Sequence, residues 1–186
     1  MTGNLYVIRH GRTDWNDIPR LQGHTDIPLN ASGIKMAEEA AERYRDVNFD
    51  IVFCSPLKRA AMTAEILLKG RNIPVIYDDR LEEMNFGIYE GTENYFDDPA
   101  CPVNTFFTSP ETYHEAPPGG ESIDDLMNRT GEFLNEKVRP FLEGGKDVLI
   151  VGHGAMNSAI ITRIRNLPLE DFWNEGIENC KLKKLL

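Results

Sequence analysis

The sequence predicts an α/β protein, a three-layer α/β/α sandwich with a mostly parallel sheet and a small cap insertion. Two observations support this prediction. Short apolar runs alternate with longer amphipathic segments along the 186 residues, which is the pattern of strands joined by crossover helices. Two of these runs each lead into a histidine and a glycine, His10 with Gly11 and His153 with Gly154, at the strand end where open α/β sheets bind ligands.

Three strands and two helices are predicted in the first half of the chain. Residues 5–8 form a continuous apolar run, typical of a strand buried on both faces. Residues 29–47 place apolar side chains on one helical face, with a cap at Asn30 or Ser32. The remaining elements of this half are a β-branched strand at 49–55, a helix at 57–70 that Pro56 introduces, and a short strand at 73–78.

The second half continues the alternation. Residues 121–145 read as one long amphipathic helix with Pro140 near its end. Residues 146–154 are the clearest strand of the chain, and a helix follows at 155–166. The last segment, 177–186, alternates as an edge strand does, and its lysines discourage edge pairing. The sequence leaves the direction of this strand open.

Composition and charge exclude several classes of protein. No apolar run approaches the ~18 residues of a membrane span, and the first residues lack the basic and apolar regions of a signal peptide. The net charge of −10 disfavours binding to nucleic acid or to an anionic membrane. Three cysteines without metal-binding spacing suggest neither a disulfide framework nor a zinc site. We therefore expect a cytoplasmic protein with a small-molecule ligand, while its oligomeric state stays open.

The predicted cap covers residues 92–117, within a single domain that spans 1–186. No lysine or arginine occurs from Leu81 to Asn128, and the cap instead carries the acidic residues Glu93, Asp97, Asp98, Glu111 and Glu115. It also carries five aromatic residues, Tyr95, Phe96, Phe106, Phe107 and Tyr113. Two interpretations of these aromatic side chains remain: they contact an organic ligand, or they only anchor the cap.

Several strand ends carry residues suited to binding an anion. Arg9 and His10, taken alone, fit either a solvated strand end or a ligand site, and the second histidine at a strand end favours the ligand site. Arg59 lies one turn into the helix after the second strand, close to a helix N-terminus that favours anions. The loop after the third strand supplies Glu82 and Glu83. Paired guanidiniums, histidines and a carboxylate are the groups that phosphoryl transfer needs, and two forked guanidiniums can replace the charge of Mg²⁺.

Six motifs occur in order along the chain: RHG at 9–11 with Asn16, LQGHTDIPLNASG at 21–33, SPLKRAAMTAE at 55–65, RLEEMNFGIYEG at 80–91, PGGES at 118–122 and VGHGAM at 151–156. Together they resemble the histidine phosphatase superfamily, also called the phosphoglycerate mutase-like family. The resemblance runs from about residue 5 to the C-terminal strand. It implies the phosphoglycerate mutase-like fold and a histidine acid phosphatase-like phosphomonoester hydrolase without metal or cofactor.

The resemblance also implies residue roles. His10 is expected to be the nucleophile that becomes phosphohistidine, and Glu83 the proton donor. Glu82 is the neighbour that could be confused with it, and the spacing to Gly87 favours Glu83. The residues expected to bind the phosphoryl group are Arg9, His10, Asn16, Arg59, His153 and Gly154, and those expected to bind the rest of the substrate are Gln22 and Gly23.

The residue types fit this chemistry. A histidine attacks phosphorus only as neutral imidazole, so one ring nitrogen must keep its proton on an acceptor while the other faces the phosphate. An alkoxide leaving group needs a proton as it departs, and a bound phosphate dianion favours the protonated form of a neighbouring carboxyl group. Glu83 is placed to donate that proton and later to accept one from water.

Other polar residues have structural interpretations. We expect His24 and His114 to be structural, Ser55 to cap the next helix, and Cys54 to be buried packing. Arg12 and Arg20 fit equally well as solvated cations or as contacts at the rim of the site.

The function predicted first is a phosphomonoesterase that acts on a small organic phosphate. The cap lacks the basic residues that the mutases of the family use to hold a second anion, which disfavours a phosphoglycerate mutase. A binding protein for a phosphorylated ligand is the second alternative, although such a protein has no use for a proton donor.

Overall fold

Five strands form the sheet at the centre of the computed structural model, which describes residues 3–186. In chain order they are β1 (Leu5–Arg9), β2 (Ile51–Cys54), β3 (Val75–Tyr77), β4 (Val148–Gly152) and β5 (Leu182–Lys184). Across the sheet the order is β3-β2-β4-β1-β5, with β5 antiparallel to β1 and every other pairing parallel. The prediction of a mostly parallel sheet is therefore confirmed, and the last strand is an antiparallel edge strand.

Seven α-helices lie within the described residues. They are α1 (Asp14–Asp17), α2 (Ala31–Arg43), α3 (Lys58–Leu67), α4 (Asn104–Thr108), α5 (Ile123–Phe133), α6 (Arg139–Glu143) and α7 (Gly154–Arg165). Short 3₁₀ helices occur at Asp79–Leu81, Gly87–Tyr89, Pro110–Thr112 and Leu169–Asp171. Within this described part, no helix is both long and apolar enough to cross a membrane.

The helix predicted as one element at 121–145 is interrupted. A π-helical segment, Leu134–Val138, separates α5 from α6, and Pro140 lies in the first turn of α6. Proline has no backbone N–H and its ring clashes with the preceding turn of a regular helix, so the hydrogen-bond register changes before it. The chain thus stays helical from 123 to 143, as predicted, but its hydrogen-bond register changes within this stretch.

Two hydrophobic clusters cover the two faces of the sheet. Ile8 and Leu149 belong to a cluster on the face that α2 and α3 cover. Val7 and Ile150 belong to the cluster on the opposite face, together with buried residues of α5, α7 and the segment 92–117. The alternation of side chains along β1 and β4 thus gives the helix–sheet–helix layers that the sequence predicted.

The turn after β1 is fixed by a close approach between two glycines. A Cβ at Gly11 would lie 2.5 Å from the carbonyl oxygen of Gly33, and a Cβ at Gly33 would lie 2.0 Å from that of Arg12. Gly33 is in the first turn of α2, where Asn30 accepts its N–H at 2.9 Å as the N-cap. Glycine is therefore needed here because α2 packs directly on the loop that follows the strand.

Candidate active site

Parallel pairing of β1 with β4 brings the two strand-end histidines together. The register pairs Arg9 with Gly152, so His10 and His153 follow side by side, with ring centroids 5.1 Å apart. A cavity of about 300 Å³ opens beside them. Its lining includes eight residues that the sequence singled out: Arg9, His10, Asn16, Gln22, Gly23, Arg59, Glu83 and Gly154.

His10 is held as a neutral imidazole with one free ring nitrogen. Its Nδ1 lies 2.6 Å from the carbonyl oxygen of Gly11, which can only accept, so Nδ1 carries the proton. Burial, and then the nearby charges of Arg59 and Arg9, hold the pKa of His10 well below its ordinary value. The Nε2 lone pair is consequently available to attack an electrophile in the cavity.

His153 is fully buried and both of its ring nitrogens bond to protein groups. Nδ1 accepts from Nε of Arg59 at 3.2 Å, and Nε2 donates to Oγ of Ser55 at 2.7 Å. Burial, followed by the charge of Arg59, keeps its pKa well below the ordinary value. His153 therefore positions Arg59 in this structure, and a contact with phosphate requires one of these bonds to be exchanged.

Ser55 does not cap the following helix as expected. The N-cap of α3 is Leu57, without a side-chain bond, and Ser55 Oγ instead accepts from His153 and from the Leu57 N–H at 3.3 Å. A serine two residues before the cap turns its hydroxyl toward β4, because β2 and β4 are neighbours in the sheet. Its place in the motif at 55–65 is the only sequence signal for this role.

Arg59 is fully buried, and backbone carbonyls surround its guanidinium. Nη2 donates to Gly23 at 2.6 Å and Nη1 to Thr25 at 2.9 Å. Burial lowers its pKa to about 10, so the group stays charged at neutral pH. Glu90 in turn holds this loop, accepting the N–H groups of His24 and Thr25 at 2.7 Å each. Sequence reasoning missed Glu90, although it lies in the motif at 80–91.

Arg9 has fewer protein partners. Nη1 donates to the carbonyl of Ile177 at a long 3.4 Å, and the buried Nε has no partner among residues 3–186. Burial lowers the pKa of Arg9 from its ordinary value. A guanidinium whose buried Nε donor is unused at a cavity wall is a strong site for an anion.

Glu83 and Glu82 are clearly distinguished. Glu83 lines the cavity, and its Oε2 accepts the N–H of Gly154 at 2.9 Å and of Ala155 at 3.2 Å, at the start of α7. Its Oε1 accepts from Met156 at 3.0 Å. Glu82 lies off the cavity, with its Oε2 3.2 Å from Nδ1 of His24. The Glu83 carboxylate therefore lies at the N-terminus of α7. The sequence predicted that the Gly154 amide at this position would bind phosphate instead.

Arg129 fixes the backbone that carries Glu83. It donates to the carbonyls of Arg80 at 2.7 Å, Glu82 at 2.9 Å and Glu83 at 3.0 Å. A two-point contact with Glu121, at 2.6 Å and 2.9 Å, orients the guanidinium. This residue was also missed, since nothing local in the sequence connects α5 with that loop.

Asn16 and Gln22 line the opposite wall and are joined through Thr13. Thr13 and Asn16 form a capping box at α1, in which Asn16 Oδ1 accepts the Thr13 N–H at 3.0 Å. The Thr13 hydroxyl donates to Gln22 Oε1 at 2.9 Å. Because these bonds use the carbonyl oxygens of both side chains, their amide N–H₂ groups remain as donors at the cavity wall.

The five cap aromatics divide into three groups. Tyr95 and Phe107 line the cavity, Phe106 and Tyr113 are buried in the core, and Phe96 is 57% exposed. Trp15, Phe86 and Trp173 complete the aromatic part of the cavity wall. Phe106 and Tyr113 thus anchor the segment 92–117 in the core, whereas Tyr95 and Phe107 lie where an organic ligand would contact them.

The remaining candidates lie outside the reacting groups. Arg12 pairs with Asp17 at 2.6 Å away from the cavity, whereas Arg20 lines the cavity and pairs with Glu93 of the cap. His114 is exposed to solvent and bonds to Asp124, whose hydrogen bond and charge raise the pKa of His114. His24 bonds to the Glu83 carbonyl at 2.9 Å. No group of three or more His, Cys, Asp and Glu residues in the described chain is arranged to hold a metal ion.

The first prediction concerns acid stability. Because the folded protein keeps His10 and His153 unprotonated, the unfolded chain binds more protons below about pH 6.5. The free energy of unfolding should then fall with decreasing pH, by up to about 1.4 kcal/mol per pH unit for each histidine. Urea unfolding measured between about pH 7.5 and pH 5 should show a shallower fall for His153→Gln, whose amide can replace both ring contacts.

His114→Gln is the matched control, because this exposed histidine has a raised pKa and opposes the trend. Equal acid slopes for the wild type and His153→Gln would show that His153 is not buried as the neutral imidazole.

Known proteins with similar sequences and structures carry both phosphatase and mutase names. The 2,3-bisphosphoglycerate-dependent phosphoglycerate mutase of Cytophaga hutchinsonii is 34% identical over 169 residues, covering 90% of this chain and 79% of that protein. The Bacillus subtilis protein named "Uncharacterized phosphatase PhoE" is 36% identical over 158 residues, covering 85% and 75%. The crystal structure of the alpha-ribazole phosphatase from Shigella flexneri superimposes with a TM-score of 0.82 at 30% identity, covering 97% and 89%.

A family model covers nearly the whole chain as well. Residues 5–186 match the model described as the histidine phosphatase superfamily, branch 1. The order of motifs, the sheet topology and the adjacent strand-end histidines agree with that match. The chain belongs to the histidine phosphatase superfamily, branch 1, a group of phosphatases and phosphomutases.

Proposed function

We propose that this protein is a metal-independent phosphomonoesterase that works through a phosphohistidine at His10 on a small organic phosphate. The observation that carries the proposal is the state of His10: a neutral ring whose Nδ1 proton is held by Gly11 and whose Nε2 is free beside the guanidiniums of Arg9 and Arg59. A nucleophile, cationic anchors and a carboxyl group then share one cavity.

Two displacements complete the reaction. Nε2 of His10 attacks phosphorus in line, the bond to the ester oxygen breaks, and Glu83 gives its proton to the departing alkoxide. Water then attacks the phosphohistidine, Glu83 takes a proton from that water, and inorganic phosphate leaves with His10 restored. Arg9, Arg59 and the α7 amides stabilise the charge on the transferring oxygens.

Phosphate binding must first release Glu83 from α7. The free protein holds the Glu83 carboxylate on the Gly154, Ala155 and Met156 amides. A phosphate dianion competes for the same donors, and the displaced carboxyl group, now beside a second negative charge, is favoured in its protonated form. Substrate binding thus prepares the general acid.

Hydrolysis rather than phosphate transfer between glycerate positions is supported by the cap. The stretch from Leu81 to Asn128 carries no lysine or arginine, so the cap offers no clamp for a second anion. A phosphoglycerate mutase is the second candidate, favoured by the 34% identity to the Cytophaga hutchinsonii mutase. The free, buried thiols Cys54, Cys101 and Cys180 support a cytoplasmic location, and the net charge of −10 supports a small-molecule substrate.

The second prediction tests the nucleophile. Wild-type protein mixed briefly with labelled phenyl phosphate should carry acid-labile phosphate, and turnover should persist in EDTA because Arg9 and Arg59 supply the positive charge. His10→Ala should lose both label and turnover while keeping a cooperative unfolding transition. His114→Ala is the control and should retain both. A wild type that binds phenyl phosphate without label or turnover would indicate a binding protein.

The third prediction tests the proton donor. Glu83→Gln should lower kcat/KM for an alkyl phosphate by about 10²- to 10⁴-fold and for p-nitrophenyl phosphate far less, because nitrophenolate leaves without a proton. Glu82→Gln, which alters a side chain off the cavity, is the control. Leaving-group dependence in Glu82→Gln instead would transfer the role to Glu82.

The fourth prediction separates hydrolase from mutase. With 3-phosphoglycerate and a trace of the 2,3-bisphosphate, release of inorganic phosphate should exceed formation of 2-phosphoglycerate, because nothing on the cap retains a bisphosphorylated intermediate. Both products are measured in the same reaction by phosphorus NMR. Isomer formation that outpaces phosphate release would favour the mutase.

A further inference from the structure

Among the described residues, one cation, Arg20, lies in the outer part of the cavity. The other charged groups of its lining, Arg9, Arg59 and Glu83, belong to the inner end. Arg20 lies over the ring of Trp15, with its Cζ 5.3 Å from the ring centroid, and its guanidinium forms an ion pair with Glu93. Its Nε is buried and has no partner within residues 3–186. Arg20 is thus the one described lining residue placed to receive an anion on the leaving group.

Backbone pairing fixes the Arg20–Glu93 contact. Residues 20 and 93 form an isolated antiparallel β-bridge. Two backbone bonds flank it, from Leu21 N–H to Thr92 at 3.0 Å and from Gly91 N–H to Leu21 at 2.7 Å. The ion pair therefore joins the segment after α1 to the start of the cap, and Glu93 faces Arg20 because of the fold.

We propose that the Arg20–Glu93 ion pair is a selectivity filter that disfavours phosphomonoesters with an anionic leaving group. This inference rests on the proposed function. A substrate carboxylate needs the guanidinium edge that Glu93 already holds, and it must either displace Glu93 or bind beside a like charge. A neutral leaving group has no such requirement and contacts Trp15, Tyr95 and Phe107 on the same wall.

The exposed position of Glu93 allows a substrate carboxylate to compete with Glu93 for Arg20. Its side chain is 52% exposed and that of Arg20 is 33% exposed, so the pair can open without disrupting the core. The lysine- and arginine-free cap supplies no other cation to which a displaced or competing carboxylate could move. Removing the charge of Glu93 should therefore free Arg20 for the substrate.

The test uses two substrates that differ at one carbon. 3-Phosphoglycerate carries a carboxylate where glycerol 3-phosphate carries a hydroxymethyl group. We expect the ratio of kcat/KM for 3-phosphoglycerate to that for glycerol 3-phosphate to rise about fivefold in Glu93→Gln, the scale of one partly exposed ion pair. Asp97→Asn, which removes an equal charge from the cap away from the cavity, should leave the ratio unchanged. Adding Arg20→Met to Glu93→Gln should abolish the rise.

Three outcomes would overturn the filter: no rise in Glu93→Gln, an equal rise in Asp97→Asn, or a rise that survives Arg20→Met. A wild type that hydrolyses neither these two substrates nor phenyl phosphate would refute the proposed function instead. In that case the same ratio is taken from dissociation constants measured by calorimetry on the same variants. The filter would also be overturned if Glu93→Gln left the ratio of dissociation constants unchanged. It would equally be overturned if neither substrate bound to the protein.

Discussion

Two guanidinium groups lie at one edge of the sheet, that of Arg59 fully buried and that of Arg9 with a buried Nε, and the properties of the neighbouring residues follow from this. A buried charge is costly unless hydrogen bonds satisfy it. Arg59 meets this requirement with the carbonyls of Gly23 and Thr25 and with Nδ1 of His153. Arg9 meets it only partly, since its Nε lacks a protein partner in residues 3–186. The site therefore contains one cation that the protein satisfies and one that an anionic ligand can satisfy.

The same charges set the protonation of the histidines. Burial and the field of Arg59 lower the pKa values of both His10 and His153, so neither ring adds a third positive charge. A neutral ring is also what a nucleophile requires. In the proposed mechanism, the arrangement that would bind an anion thus also provides the attacking group without a separate base, because Nδ1 of His10 keeps its proton on Gly11. Glu83 adds the complementary feature, an internal anion on α7 that a bound phosphate would replace.

Much of this was predictable from sequence, and the rest was not for identifiable reasons. Apolar runs and helical periodicity gave the sheet and most helices, and histidines at two strand ends indicated the site. The supporting residues Ser55, Glu90 and Arg129 were missed because they act on groups far away in the chain, such as His153 and the carbonyl of Glu83. The π-helical break before Pro140 was missed because its apolar residues keep a helical spacing on both sides.

Overall similarity does not decide between phosphatase and mutase, because relatives with both names are about equally identical to this chain. Under the proposed roles of His10, the two arginines and Glu83, the inner end of the cavity would form and break a phosphohistidine in either reaction. The difference must arise where the rest of the substrate lies, among the residues of the cap and the segment after α1. Among the described residues there, Arg20 is the cation that lines the cavity, and it forms an ion pair with the carboxylate of Glu93. Under the proposed selectivity filter, a second substrate anion would meet a partner that Glu93 already holds, and this would favour release of the alcohol and attack by water over retention of a bisphosphorylated intermediate.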